Sequence, residues 1–90
     1  MDALDVIVKA KEKCRSLLAL TPQFFPLQTI AEQLLYLEDA LRNVSADRTK
    51  LKDINVGLFA VREFETRSPE FAEMLYEVEE VVEEMKSGRA

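Results

Sequence analysis

Apolar residues recur at steps of three and four along almost the whole chain, which is the spacing of one face of an α-helix. Only two glycines and three prolines interrupt this pattern. We therefore predict an all-α protein, a compact bundle of about four helices that forms a single domain over residues 1–90. The first helix should run from about Asp2 to Leu20. The second, from about Leu27 to Val44, should bury a regular stripe made of Leu27, Ile30, Leu34, Leu37, Leu41 and Val44.

The third predicted helix begins near Ser45 or Asp47 and continues to about Phe64. Gly57 lies in its middle at a cost of about 1 kcal/mol relative to alanine, so we expect another helix backbone to approach closely there. Apolar residues occupy two sides of this helix, which predicts a central position with contacts from more than one direction. One side carries Leu51, Ile54, Leu58 and Val61, and the other carries Val56, Phe59, Ala60 and Phe64.

The fourth predicted helix starts at Ser68–Pro69–Glu70, with a capping side chain, a proline in the first turn and an early carboxylate, and it stops at Ser87–Gly88. Its apolar seam consists of Phe71, Leu75, Val78, Val82 and Met85. The opposite side carries what we call the acidic row: Glu73, Glu77, Glu80 and Glu84. Like charges four residues apart destabilise a helix by about 0.2–0.5 kcal/mol per pair. The row is therefore either a solvated outer face or a surface kept for function.

Charge and composition limit the classes of partner that this chain could bind. The chain has a formal net charge of −5 and a pI near 4.7, which argues against nucleic acid and anionic membranes and favours a basic protein surface. Cys14 has no partner for a disulfide, and the first residues lack the basic segment of a signal peptide. No apolar run reaches the roughly 18 residues that a membrane span needs. We expect a cytoplasmic protein.

Candidate chemistry is sparse, because the chain has no histidine and a single cysteine. Enzymes usually need such a proton carrier or nucleophile together with a group that tunes its pKa. A metal-dependent helical bundle with paired carboxylates is an alternative, but the Glu-x-x-His ligand pattern of di-iron bundles requires histidine. We therefore expect a binding protein that is not an enzyme, with no catalytic residues, no cofactor and no metal site.

The segment from Pro22 to Glu70 resembles a known family. The similarity rests on Pro22, Gln33, Leu34, Tyr36, Leu41, Ser45-x-Asp47-Arg48-x-x-Leu51, Gly57, Ala60-Val61-Arg62-Glu63-Phe64-Glu65 and Pro69-Glu70. In order and spacing these residues are similar to small immunity proteins that protect type VI secreting bacteria from an NAD(P)+ glycohydrolase effector. The resemblance implies a helical protein that binds the toxin domain of the effector and blocks its active-site cleft without doing chemistry.

A toxin that consumes a dinucleotide must attract phosphates, so its cleft is expected to be electropositive. The acidic row could occupy such a cleft, and complementary charge would speed association. Tyr76 flanks the row, and Tyr36 lies off the main stripe of the second helix, where its ring either seals the bundle edge or anchors a partner. The candidate toxin-binding residues are Tyr36, Glu73, Tyr76, Glu77, Glu80 and Glu84.

Structural roles are expected for the motif residues. Asp47 should cap a helix, and Arg48 could pair with a nearby carboxylate such as Glu38 or Asp39 on the second helix. Glu63 could meet a basic group across the bundle. The complete structural set is Asp47, Arg48, Gly57, Glu63, Phe64 and Pro69.

Other functions remain open at this point. The chain could confer immunity to a different nucleotide-acting toxin, or it could be an interaction module that assembles with itself through the seam from Phe71 to Met85. A homodimer and an acidic mimic of DNA are both compatible with the composition.

Overall fold

The structure, a computed structural model, describes residues 2–43 and 45–90, and all regular secondary structure within these ranges is helical. Two long helices that pack against each other, α1 (Ala3–Leu20) and α2 (Phe25–Arg42), come first. A 3-10 helix (Thr49–Asp53) follows, then the short α3 (Val56–Phe59), which continues directly as a π-helix (Ala60–Phe64). The last element is α4 (Pro69–Lys86). The predicted all-α fold class is confirmed.

The three long helices begin and end close to the predicted positions. α2 starts at Phe25, because Pro26 fits the first turn of a helix, where its missing N–H is not needed. The predicted inward position Val44 lies outside the described residues. Pro69 opens α4 as expected, but the Ser68 side chain makes no capping hydrogen bond; its carbonyl instead accepts the Ala72 N–H. Gly88 ends α4 with a φ of 82°, a conformation that favours glycine.

The prediction for the third helix is wrong in two respects. Its first half is not an α-helix, because the 3-10 helix ends at Asp53 and an extended backbone at Ile54 separates it from α3. The second error concerns the side of the segment that faces the core. Contacts do come from more than one direction, as predicted, because α3 packs against α4 and also against α2.

The side of α3 that faces the core also differs from the first predicted stripe. Val56, Ala60 and Phe64 are buried, while Leu58 and Val61 are 47% and 54% exposed. Val56, Ala60 and Phe64 share one side because helical residues four apart lie on the same face, and this side packs against α4. Of the first predicted stripe, Leu51 is buried and Ile54 packs against the core, whereas Leu58 and Val61 face outwards.

One hydrophobic core joins these elements. Its largest fully buried side chains come from α1, α2, α3 and α4, and Phe71 is among them. The Phe64 ring meets the Phe71 ring edge to face at 5.0 Å and the Phe24 ring at 6.2 Å. Phe24 thus closes one end of the bundle, whereas its neighbour Phe25 is exposed. In the described part of the chain, no helix has both the length and the apolar character of a membrane span.

Candidate functional site

The acidic row lies on the outer side of α4. Burial of the apolar seam turns the opposite side of this helix outwards, and Glu73, Glu77, Glu80 and Glu84 are all exposed. α4 carries seven glutamates and one lysine, Lys86, which pairs with Glu83 at 3.3 Å and not with a member of the row. This helix therefore presents a dense negative surface.

Tyr76 lies at the edge of the acidic row and is half buried. Partial burial raises the pKa of its hydroxyl, and the nearby carboxylates of Glu65 and Glu73 act in the same direction. Tyr76 is thus placed between the acidic row and Glu65, the residue that follows the π-helix. The acidic row and the surface around Glu65 therefore meet at Tyr76.

Tyr36 is tied to the loop that follows α2. Its hydroxyl donates to the Asp47 carbonyl at 2.9 Å and accepts the Lys50 N–H at 3.2 Å. Tyr36 also lines a groove that includes no residue of α4. Its lining residues are Thr29, Glu32, Gln33, Tyr36, Lys50, Asp53, Ile54 and Asn55. The structure therefore brings Tyr76 next to the acidic row but leaves Tyr36 in a separate groove.

Asp47 and Arg48 both shape this loop. The Asp47 carboxylate accepts the Thr49 N–H at 2.9 Å and the Thr49 hydroxyl at 3.0 Å, so it caps the start of the 3-10 helix. The Thr49 backbone hydrogen bond, followed by the side-chain one, holds the pKa of Asp47 below its usual value. The prediction that Arg48 pairs with Glu38 or Asp39 is wrong. Its guanidinium donates instead to backbone carbonyls, those of Ala40 at 3.1 Å and Ala90 at 2.5 Å.

The remaining motif residues are also placed by the fold. Phe64 is a core residue and Pro69 opens α4. Glu63 is half buried on the π-helix, and the ion pairs among the described residues do not include it, contrary to the predicted contact with a basic group.

Gly57 is approached by a side chain, not by the helix backbone that we expected. The Glu79 carboxylate of α4 accepts the Gly57 N–H over 3.0 Å. A Cβ atom at position 57 would lie only 2.7 Å from Glu79 Cγ. Gly57 belongs to the first turn of α3, whose N–H groups have no partner within the helix, so Glu79 caps α3 from a neighbouring element.

The sequence reasoning missed this role of Glu79 and two further polar contacts. Gln33 and Asn55 pair through two hydrogen bonds of 2.7 and 2.9 Å, which join α2 to the start of α3. Glu38 bridges Lys11 at 2.6 Å and Arg42 at 3.0 Å. The four-residue step from Glu38 to Arg42 could have been recognised, whereas the other pairs join residues that are far apart in the chain.

The groups available for chemistry are few. Burial raises the pKa of the Cys14 thiol to about 11, so this cysteine stays protonated and is a poor nucleophile. The described residues contain no cluster of carboxylate, histidine and cysteine side chains that could hold a metal ion.

Comparisons with known proteins agree with the resemblance of the motif segment. A family model named Tsi6 matches residues 2–84. The fold is similar to a chain of a structure of Tse6 in complex with Tsi6, with a TM-score of 0.94, 28% identity and coverage of 100% of this chain and 96% of that chain. It is also similar to Tsi6 from Pseudomonas aeruginosa, with a TM-score of 0.87, 29% identity and coverage of 91% and 85%. No curated protein matches the chain. The chain therefore belongs to the Tsi6 family, and the predicted resemblance to type VI secretion immunity proteins is confirmed.

Proposed function

We propose that this chain is an immunity protein that binds the toxin domain of a cognate secreted effector, an NAD(P)+ glycohydrolase, and occludes its active-site cleft. It acts by binding alone, without catalysis, in the cytoplasm of the cell that it protects. The observation that carries the proposal is the similarity over the full length to a chain of the Tse6–Tsi6 complex, at 28% identity.

The surface of α4 fits this role physically. A dinucleotide-binding cleft must attract phosphates, and an exposed run of carboxylates can compete for the same positive potential. Long-range attraction also steers the encounter and raises the association rate. In this proposal Glu73, Glu77, Glu80 and Glu84 contact or face the toxin, with Tyr76 at the edge of the contact.

Tyr36 has a different place in the proposal. Both of its hydroxyl hydrogen bonds are made within the chain, so it supports the loop at Asp47 and Lys50. Its ring edge can still contribute to the wall of an interface, as tyrosines commonly do.

Co-expression tests the proposed function directly. The toxin domain encoded next to this gene is expressed from an inducible promoter, with or without the chain, and growth and the NAD(P)+ pool are measured. Toxin alone should stop growth and deplete NAD(P)+, and the chain should restore both. Depletion that continues despite an excess of folded chain would contradict immunity. Arrested growth with a normal NAD(P)+ pool would instead indicate a different nucleotide-acting toxin.

A further inference from the structure

Two exposed apolar side chains lie three residues apart on the helical segment formed by α3 and the π-helix: Leu58 and Val61, here called the α3 patch. They are 47% and 54% exposed, although they belong to a stripe whose periodicity is that of a buried helix face. The other apolar side of the same segment, with Val56, Ala60 and Phe64, already fills the core. The α3 patch is therefore an apolar face without a partner in the chain as described.

Exposed large apolar side chains elsewhere have different electrostatic surroundings. Leu35 on α2 lies at a shallow groove with Lys11 and Arg15. Leu20 lies at an apolar groove whose charged residue is Arg67. The charged residues that line these two grooves are basic, so neither groove attracts an electropositive toxin cleft.

Acidic residues outnumber basic ones within the segment that carries the α3 patch, and Lys50 and Lys52 lie before it. From position 53 to 65 the sequence contains three acidic residues, Asp53, Glu63 and Glu65, against one basic residue, Arg62. Glu65 also leads to the acidic row through its contact with Tyr76. Unlike the surroundings of Leu20 and Leu35, this segment thus carries the negative charge that complements a phosphate-attracting surface.

Contacts on two sides hold this segment in place. Glu79 caps Gly57 from α4, and the Gln33–Asn55 amide pair fixes the preceding residue to α2. A side chain on a segment that is already fixed loses less conformational freedom when a partner binds it. The α3 patch is preorganised for contact.

The acidic row cannot supply a tight interface by itself. A stable interface buries about 800 Å² per partner, which is about one seventh of the 5569 Å² surface of this chain. Most of the binding energy usually comes from a few apolar or aromatic anchors near the centre, with charged residues at the rim. The row offers no apolar anchor of its own, because the seam of α4 is buried.

We propose that the α3 patch is the apolar anchor of the toxin interface, and that the acidic row and Tyr76 form its charged flank. This inference rests on the proposed function, since its occupant is the toxin domain. The toxin surface that it fits is apolar at the contact with Leu58 and Val61 and basic where it faces the carboxylates.

The test compares two double variants of equal chemical severity. Leu58→Ser with Val61→Ser removes the α3 patch, and Leu20→Ser with Leu35→Ser removes exposed apolar groups in the other surroundings. Affinity for the toxin domain encoded next to the gene is measured by calorimetry, and circular dichroism checks that every variant is folded. The α3 patch variant should bind at least about tenfold more weakly, and the control should stay within about twofold of the parent. Leu58→Met with Val61→Ile keeps the patch apolar and should bind within about threefold of the parent.

Undiminished binding of the folded serine variant, or an equal loss in the control, would overturn the inference while leaving the proposed function intact. A parent chain that forms no complex with the toxin domain would overturn the proposed function itself. Light scattering tests whether the α3 patch instead binds a second copy of this chain. If the parent is a dimer and the serine variant is a monomer, the patch mediates self-association and the inference is overturned.

Discussion

The close approach of Glu79 explains why position 57 is a glycine. The glycine leaves room for Glu79 Cγ, and the carboxylate satisfies an N–H in the first turn of α3. A hydrogen bond to a charged group contributes about 1.5–3 kcal/mol, which exceeds the roughly 1 kcal/mol that glycine costs in a helix. The contact is thus a sufficient reason for glycine at this position.

A double-mutant cycle tests this explanation. Gly57→Ala should lower the free energy of unfolding by about 1 kcal/mol, because the new methyl group displaces the Glu79 carboxylate. In a Glu79→Ala background the same change should raise it by about 0.5 kcal/mol, because alanine favours a helix and nothing is displaced. Urea denaturation measures both differences. If Gly57→Ala changes the free energy of unfolding in the same direction in both backgrounds, Glu79 is not the reason for glycine at position 57.

Glu38 is one residue through which the structure predicts a dependence of stability on pH. The hydrogen bond from Lys11 is the largest cause that lowers its pKa, and Arg42 lowers it further against the effect of burial. A carboxyl group whose pKa is lower in the folded state stabilises the fold above the pKa of the unfolded chain. That contribution is lost as the pH falls through the folded-state pKa.

Replacing Glu38 by glutamine should therefore weaken the dependence of stability on pH below about pH 5. Lys11→Met should have a similar effect, because it removes the largest cause of the shift. The measurement is the urea midpoint of parent and variants between pH 7 and pH 3. An acid response of Glu38→Gln equal to that of the parent would contradict this role.

At the scale of elements, sequence periodicity predicts α1, α2 and α4 well, because each buries one side and has a proline or glycine near an end. The segment between α2 and α4 is less predictable. It has two apolar sides, and the choice between them depends on packing against α4, including the Glu79 contact, which comes from a distant part of the sequence. Periodicity alone cannot rank two such sides.

For the acidic row we predict that removing its charges raises the stability of the chain and weakens its binding to the toxin domain. Changing all four glutamates to glutamine should raise the free energy of unfolding by about 0.5–1 kcal/mol at low salt, since two like-charged pairs four residues apart are removed. The same variant should associate with the toxin domain about tenfold more slowly and with less dependence on salt.

The control for the row removes a similar amount of charge elsewhere, with Asp5→Asn, Glu12→Gln and Asp39→Asn on α1 and α2. This variant should keep most of the association rate, because its changes lie outside the proposed interface. Stopped-flow fluorescence at several salt concentrations provides the rates. Equal slowing in both variants would mean that net charge matters but its position on α4 does not.

At the scale of the whole molecule, the sequence predicts the fold class and, through its motif segment, the family. The proposed binding surface is predicted only in part. The acidic row and Tyr76 follow from helix periodicity, because both lie on a single long helix. The α3 patch does not follow from periodicity, because Leu58 and Val61 have the spacing of core residues. Their exposure is evident only once the packing of Val56, Ala60 and Phe64 is known.

The most direct measurement is a titration of the purified toxin domain with this chain while NAD(P)+ hydrolysis is followed. Occlusion of the cleft predicts that turnover falls linearly to zero at one equivalent and that the complex no longer binds the dinucleotide. A saturated complex that still hydrolyses NAD(P)+ at the rate of the free toxin would contradict inhibition by occlusion.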